Sequence, residues 1–144
     1  MFQRIMLAWD GSEVALRAFD VAIDLARRYQ GELVAVSVAY SPSHAETYAD
    51  REESADAARR HLRQTFLDVK DRAQRAGVDV EHEIVDGAHP AQALLEHAHE
   101  HGYDLIVCGH HNSRRAGRLL LHDVAEELFR NARMPVLVVG ENSH

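Results

Sequence analysis

The chain has 144 residues, 46% hydrophobic and 27% charged, with a formal net charge of −7. A chain of this length is expected to form one domain, spanning 1–144, that buries about two-thirds of its unfolded surface. The acidic balance argues against a nucleic-acid binder, which would carry a basic face. Cys108 is the only cysteine, so an internal disulfide framework is excluded.

The N-terminal stretch "MFQRIMLAWDGS" meets Asp10 too early for a signal-peptide core, and no apolar run approaches a membrane span. The expected setting is cytoplasmic, with no membrane and no nucleic-acid partner.

"RIMLAW" (4–9) is a short apolar run ending at "DGS", which predicts a strand followed by a turn. From Glu13 the apolar residues Val14, Leu16, Ala18, Val21, Ala22, Leu25 and Ala26 recur at helical spacing, and Gly31 is placed to end that helix. "ELVAVSVAY" (32–40) is apolar on both faces, as a buried parallel strand should be. After a loop at 41–44, residues 53–77 predict a long amphipathic helix carrying Leu62, Phe66, Val69 and Ala73 on one stripe.

"VDVEHEIVDG" (78–87) alternates apolar and polar residues, which predicts a strand near a sheet edge or with one wet face. A helix over 89–102 follows, with Pro90 in its first turn and Gly102 at its end. "YDLIVCG" (103–109) predicts another buried strand, in which Cys108 serves as core packing. The last helix covers 122–132, with Asp123 as N-cap and Glu126 three residues on, and "MPVLVVG" (134–140) is the last strand.

Strands alternating with helices predict a doubly wound α/β domain, an open parallel sheet with helices on both faces and right-handed crossovers. Ligands of such sheets bind outside the carboxyl ends of the strands, at the topological switch point. Two stretches qualify, "AWDGS" after the first strand and "CGHHN" after the fourth. Neither a Walker-type loop nor a G-x-G-x-x-G turn is present, which disfavours a P-loop enzyme or a dinucleotide dehydrogenase.

Three stretches carry a resemblance over nearly the whole chain. They are "RIMLAWDGSEVALRAFDVAIDLARRYQGELVAVSV", "GVDVEHEIVDGAHPAQALLEHAHEHGYDLIVCG" and "LLLHDVAEELFRNARMPVLVV". In order and spacing they resemble the universal stress proteins. The resemblance implies an open five-stranded sheet of order 3-2-1-4-5, a homodimer paired through the C-terminal strand 135–139, and a stress-response role exercised through binding to protein partners that the sequence does not name.

Many members of that family bind ATP through a G-x-x-G-x9-G-[ST] signature, and others lack it. Here Gly109 matches the first position, Asn112 stands at the second, and His122 and Asp123 replace the last two. The "GHH" start, Gly109-His110-His111, resembles members without ATP binding. The resemblance also places Asp10, Gly11 and Ser12 beside the ribose and adenine, and Val38 beside the base. With His111 and Val124, these residues form the expected nucleotide crevice.

Asn in place of glycine is a mild change, because Asn tolerates positive φ but adds bulk. Asp123 is more serious. A helix N-terminus attracts anions through its free N–H groups and dipole, and an aspartate there occupies those groups and repels phosphate. Arg114, Arg115 and Arg118 could clamp phosphates, or lie on a solvated loop face.

The expectation is weak or absent ATP binding, with AMP suffering less repulsion than a triphosphate. A nucleotide-binding switch and a slow nucleotide hydrolase are the alternatives. A hydrolase built on Ser12, Asp10 and a histidine lacks the G-x-S-x-G elbow, so the protein is read as no enzyme.

His97 and His101 are four residues apart, a spacing that can chelate zinc. No third ligand has matching spacing. They are read as exposed helix residues and no metal site is assigned. Trp9 is expected either to pack under the helices or to narrow the adenine pocket.

Overall fold

The computed structural model describes residues 1–40, 48–111 and 123–141. Its strands are β1 (Arg4–Ala8), β2 (Glu32–Tyr40), β3 (Val80–Gly87), β4 (Leu105–His110) and β5 (Val136–Gly140). The helices among the described residues are α1 (Glu13–Tyr29), α2 (Tyr48–Leu67), α3 (Asp71–Arg75), α4 (Pro90–Glu100) and α5 (Asp123–Asn131). All strand pairs are parallel and the order is β3-β2-β1-β4-β5.

β1 is central. Its Ile5, Met6 and Leu7 have no exposed surface, because neighbouring strands flank it and helices cover both faces. Ile5 and Leu7 point into a core shared with Phe19 of α1, Phe66 of α2 and Ala73 of α3. Met6 points into the opposite core, with Leu94 of α4 and Leu128 of α5. This period-two division of one strand between two cores explains why the buried strands read as unbroken apolar runs.

The alternating segment forms the edge strand β3, as its pattern predicts. Three details differ from the sequence reading. The left-handed cap of α1 falls on Gln30 (φ 53°, ψ 40°) and not on Gly31. The helix expected over 53–77 already runs at Tyr48, and it breaks after Leu67 to resume as α3.

The break has no signature in the periodicity. Residues 68–70 keep a helical path, with Lys70 at φ −56° and ψ −33°. Val69 N–H bonds the Phe66 carbonyl and Ala73 N–H the Lys70 carbonyl. These tighter i→i−3 bonds keep Val69 and Ala73 on the core side. The apolar stripe therefore runs through the break unchanged.

Trp9 packs under the helices. It is 4% exposed, edge-on to Phe19 and Phe66 at centroid distances of 5.9 and 6.0 Å. Its indole N–H donates to Thr65 Oγ1 at 3.1 Å.

Candidate functional site

β2 and β4 flank β1 on opposite sides, so the sheet's switch point lies between the carboxyl ends of β1 and β4. The turn after β1 is built by its own polar side chains. Asp10 Oδ1 accepts from the Ser12 backbone N–H at 2.9 Å and from the Ser12 hydroxyl at 2.5 Å. Ser12 Oγ in turn accepts from Ala15 N–H at 3.2 Å and caps α1. Gly11 has φ +83°, and a Cβ there would press on the Thr65 side chain, so the turn requires glycine.

The loop after β4 reaches across to this turn. His111 Nε2 lies 3.3 Å from Asp10 Oδ2. A carboxylate only accepts, so Nε2 carries the hydrogen. Both carboxylate oxygens of Asp10 are thus engaged, one by Ser12 and one by a histidine 101 residues away.

Gly109 of β4 sits under the first turn of α1, and a Cβ there would come within 2.8 Å of the Val14 carbonyl oxygen. This close approach accounts for the glycine without any ligand. Val38, near the end of β2, is partly buried on the α4 side and pairs in register with Val85. Val124 of α5 packs on the same core, and Asp123 opens that helix. Asn112 and His122, like Arg114, Arg115 and Arg118, lie outside the described residues.

The structure thus brings Asp10, Gly11, Ser12, Gly109 and His111 together at the switch point. A cavity of about 220 Å³ opens beside the turn, lined by Trp9, Gly11, Ser12, Leu16, Thr65 and Val69. That is below the range of about 300–1,000 Å³ usual for small-molecule pockets.

Among the described residues, no histidine lies beside the Ser12 hydroxyl, whose hydrogen goes to Asp10. Asp10 stands between Ser12 and His111, whereas a serine nucleophile needs the histidine beside its own oxygen. Cys108 is no alternative nucleophile. It is 2% exposed, and burial pushes its thiol up to about 11.

The model of the universal stress protein family matches residues 1–140. The chain belongs to the universal stress protein family. It is 31% identical to the universal stress protein MJ0531 of Methanocaldococcus jannaschii, over 96% of this chain and 82% of that protein.

Among solved structures, a universal stress protein family member from Burkholderia pseudomallei is 32% identical with a TM-score of 0.76, covering 96% of each chain. A universal stress protein in complex with cAMP is also 32% identical, with a TM-score of 0.73, covering 96% of this chain and 97% of that one.

The histidines of α4 need a correction. His97 is not a solvated helix residue. Its side chain is 13% exposed and its Nε2 donates to Glu83 Oε2 of β3 at 2.7 Å. His101 stacks on it at 4.2 Å and is exposed. No group of three or more His, Cys, Asp or Glu is placed to hold a metal among the described residues. Nor is any described helix long and apolar enough to cross a membrane.

Sequence reasoning missed the bridges from Asp10 to His111, from Glu83 to His97 and from Trp9 to Thr65. Each joins segments distant in the chain. Only the first had a usable signal, because both its loops were already assigned to one crevice.

Proposed function

We propose that this universal stress protein acts in the cytoplasm by binding rather than by catalysis, and that its crevice takes a nucleoside monophosphate in preference to ATP. The observation that carries the reading is the position of Asp10 between Ser12 and His111. It places a fixed negative charge at the switch point and, among the described residues, leaves no histidine beside the hydroxyl. A triphosphate meets more repulsion from that charge than a monophosphate does. In the sequence, Asp123 in place of the signature's last position adds to the same penalty.

The cAMP complex of a relative 32% identical over 96% of this chain supports a ligand with a single phosphate. The degenerate signature, with one of its four positions matched, supports weak ATP binding.

The protein is proposed to pair with a second copy through residues 135–139. β5 is an edge strand, Leu137 and Val138 are 37% and 39% exposed, and Phe129 of the neighbouring helix is 58% exposed. An uncovered apolar edge favours pairing with another strand.

The test is to purify the protein without added nucleotide, denature it and chromatograph the supernatant, then assay phosphate release from ATP. The expected result is no stoichiometric ATP and no phosphate release. Stoichiometric ATP, or metal-dependent phosphate release that is lost in Asp10→Asn, would overturn the reading.

A further inference from the structure

A second cleft lies away from the switch point, between α2 and the first half of the edge strand β3. It has a volume of about 590 Å³ and is lined by Arg59, Arg63, Phe66, Leu67 and Lys70 on one side and by Val80, Glu81, His82 and Ile84 on the other. That volume suits a small organic ligand.

The helix side of the cleft is basic in an acidic chain. Residues 59, 63, 66 and 70 recur at helical spacing, so one stripe carries Arg59, Arg63, the Phe66 ring and Lys70 towards β3. Arg59 is already committed, pairing with Asp86 and Asp56. Arg63 and Lys70 have no ion-pair partner among the described residues, and Glu81 is the only carboxylate of the lining. The floor is apolar, with Phe66 and Val80 buried.

His82 adds a directional group. Its ring stacks on Phe66 at 4.6 Å and 25°. Ser37 is 1% exposed and spends its single hydroxyl hydrogen on the Trp9 carbonyl at 2.7 Å. The 2.9 Å contact between Ser37 Oγ and His82 Nε2 must therefore be donated by Nε2–H. Nδ1 is left as a fixed lone-pair acceptor, with no partner among the described residues.

We infer that this cleft is a binding site for a small organic phosphate. The phosphate would lie between Arg63 and Lys70, an apolar or ring portion on Ile84 and Leu67, and a hydroxyl of the ligand on His82 Nδ1. A guanidinium and an ammonium together match the charge of a phosphate dianion, and the apolar floor distinguishes an organic phosphate from the inorganic ion.

The experiment is a titration of the full chain with phenyl phosphate, read by NMR at the backbone amides of Glu81, His82 and Ile84. Saturable shifts are expected there, and not at Asp10 or His111. Arg63→Gln with Lys70→Gln should weaken binding about tenfold or more, as the loss of charge-assisted hydrogen bonds would.

Arg63 is exposed and Lys70 half-buried at the rim of the cleft, so the double variant should keep the wild-type amide dispersion. Asp10→Asn should leave the phenyl phosphate affinity unchanged, which separates this site from the crevice. The inference is overturned by an absence of saturable shifts, by equal affinity of the double variant, by shifts confined to Asp10 and His111, or by equal binding of neutral phenol.

Discussion

His111 Nε2 lies 3.3 Å from Asp10 Oδ2, joining the loops that follow β1 and β4 across the switch point of the sheet. The Asp10 carboxylate thus anchors both loops, one oxygen holding Ser12 and the other His111.

Asp10→Asn keeps an oxygen that can accept from Ser12 but removes the charge. ATP affinity should rise about three- to tenfold relative to AMP, an effect that shrinks as salt is raised. Calorimetric titration of both nucleotides into wild type and variant checks this. Stability should fall by about 1 kcal/mol or less, because the pair with His111 is partly exposed.

Gly109 is the one signature position that this chain keeps, and its surroundings explain it by packing. In Gly109→Ala the new methyl would meet the Val14 carbonyl at 2.8 Å and its Cγ1 at 2.9 Å. A loss of about 1–3 kcal/mol is expected from overpacking, measured by urea denaturation with no ligand present. Unchanged stability would mean that α1 yields easily and that the glycine serves something else.

How much of this was legible in the sequence differs by element. β1, β2 and β4 announce themselves because each is covered on both faces, and β3 because an edge strand alternates. The break between α2 and α3 is silent, since the turn at 68–70 preserves helical geometry and keeps Val69 and Ala73 on the core side. At the site, "DGS" was readable as a turn and helix cap because Ser12 and Asp10 act within three residues of chain. The pairing of Asp10 with His111 was readable only as two loops sharing one crevice, because partners that far apart leave no spacing to read. His97 was misread for the same reason, its partner Glu83 being on a strand that the helix pattern does not reveal.

His82 should give the protein an acid-sensitive limb. Burial, then the charge of Arg63, holds its imidazole down at about 4, against 6.5 when unfolded. Arg59 and Lys70 line the same cleft from the helix side and Glu81 from β3, while Ser37 holds Nε2. Between those two values the unfolded chain binds the proton and the folded chain does not. Stability therefore falls as pH drops from 6.5 towards 4, and is insensitive to this group above 6.5. The melting temperature from pH 7 to 4.5 should decline less steeply in His82→Phe, which keeps the stack on Phe66 without the charge.

Pairing through β5 predicts a monomer when its edge carries a charge. Val138→Lys places an ammonium at the centre of the exposed strand, where a partner strand would have to bury it. Sedimentation equilibrium should show a dimer for the wild type and a monomer for this variant. A monomeric wild type, or a variant that still dimerises, would move the interface elsewhere.

Nucleotide choice is the property most directly set by the charge at the switch point. Calorimetric titration of the nucleotide-free protein with AMP and with ATP, under identical buffer and salt, is the decisive measurement. A preference for the monophosphate predicts that AMP binds and that ATP binds more weakly or not at all. ATP binding as tightly as AMP, or binding of neither, would contradict it.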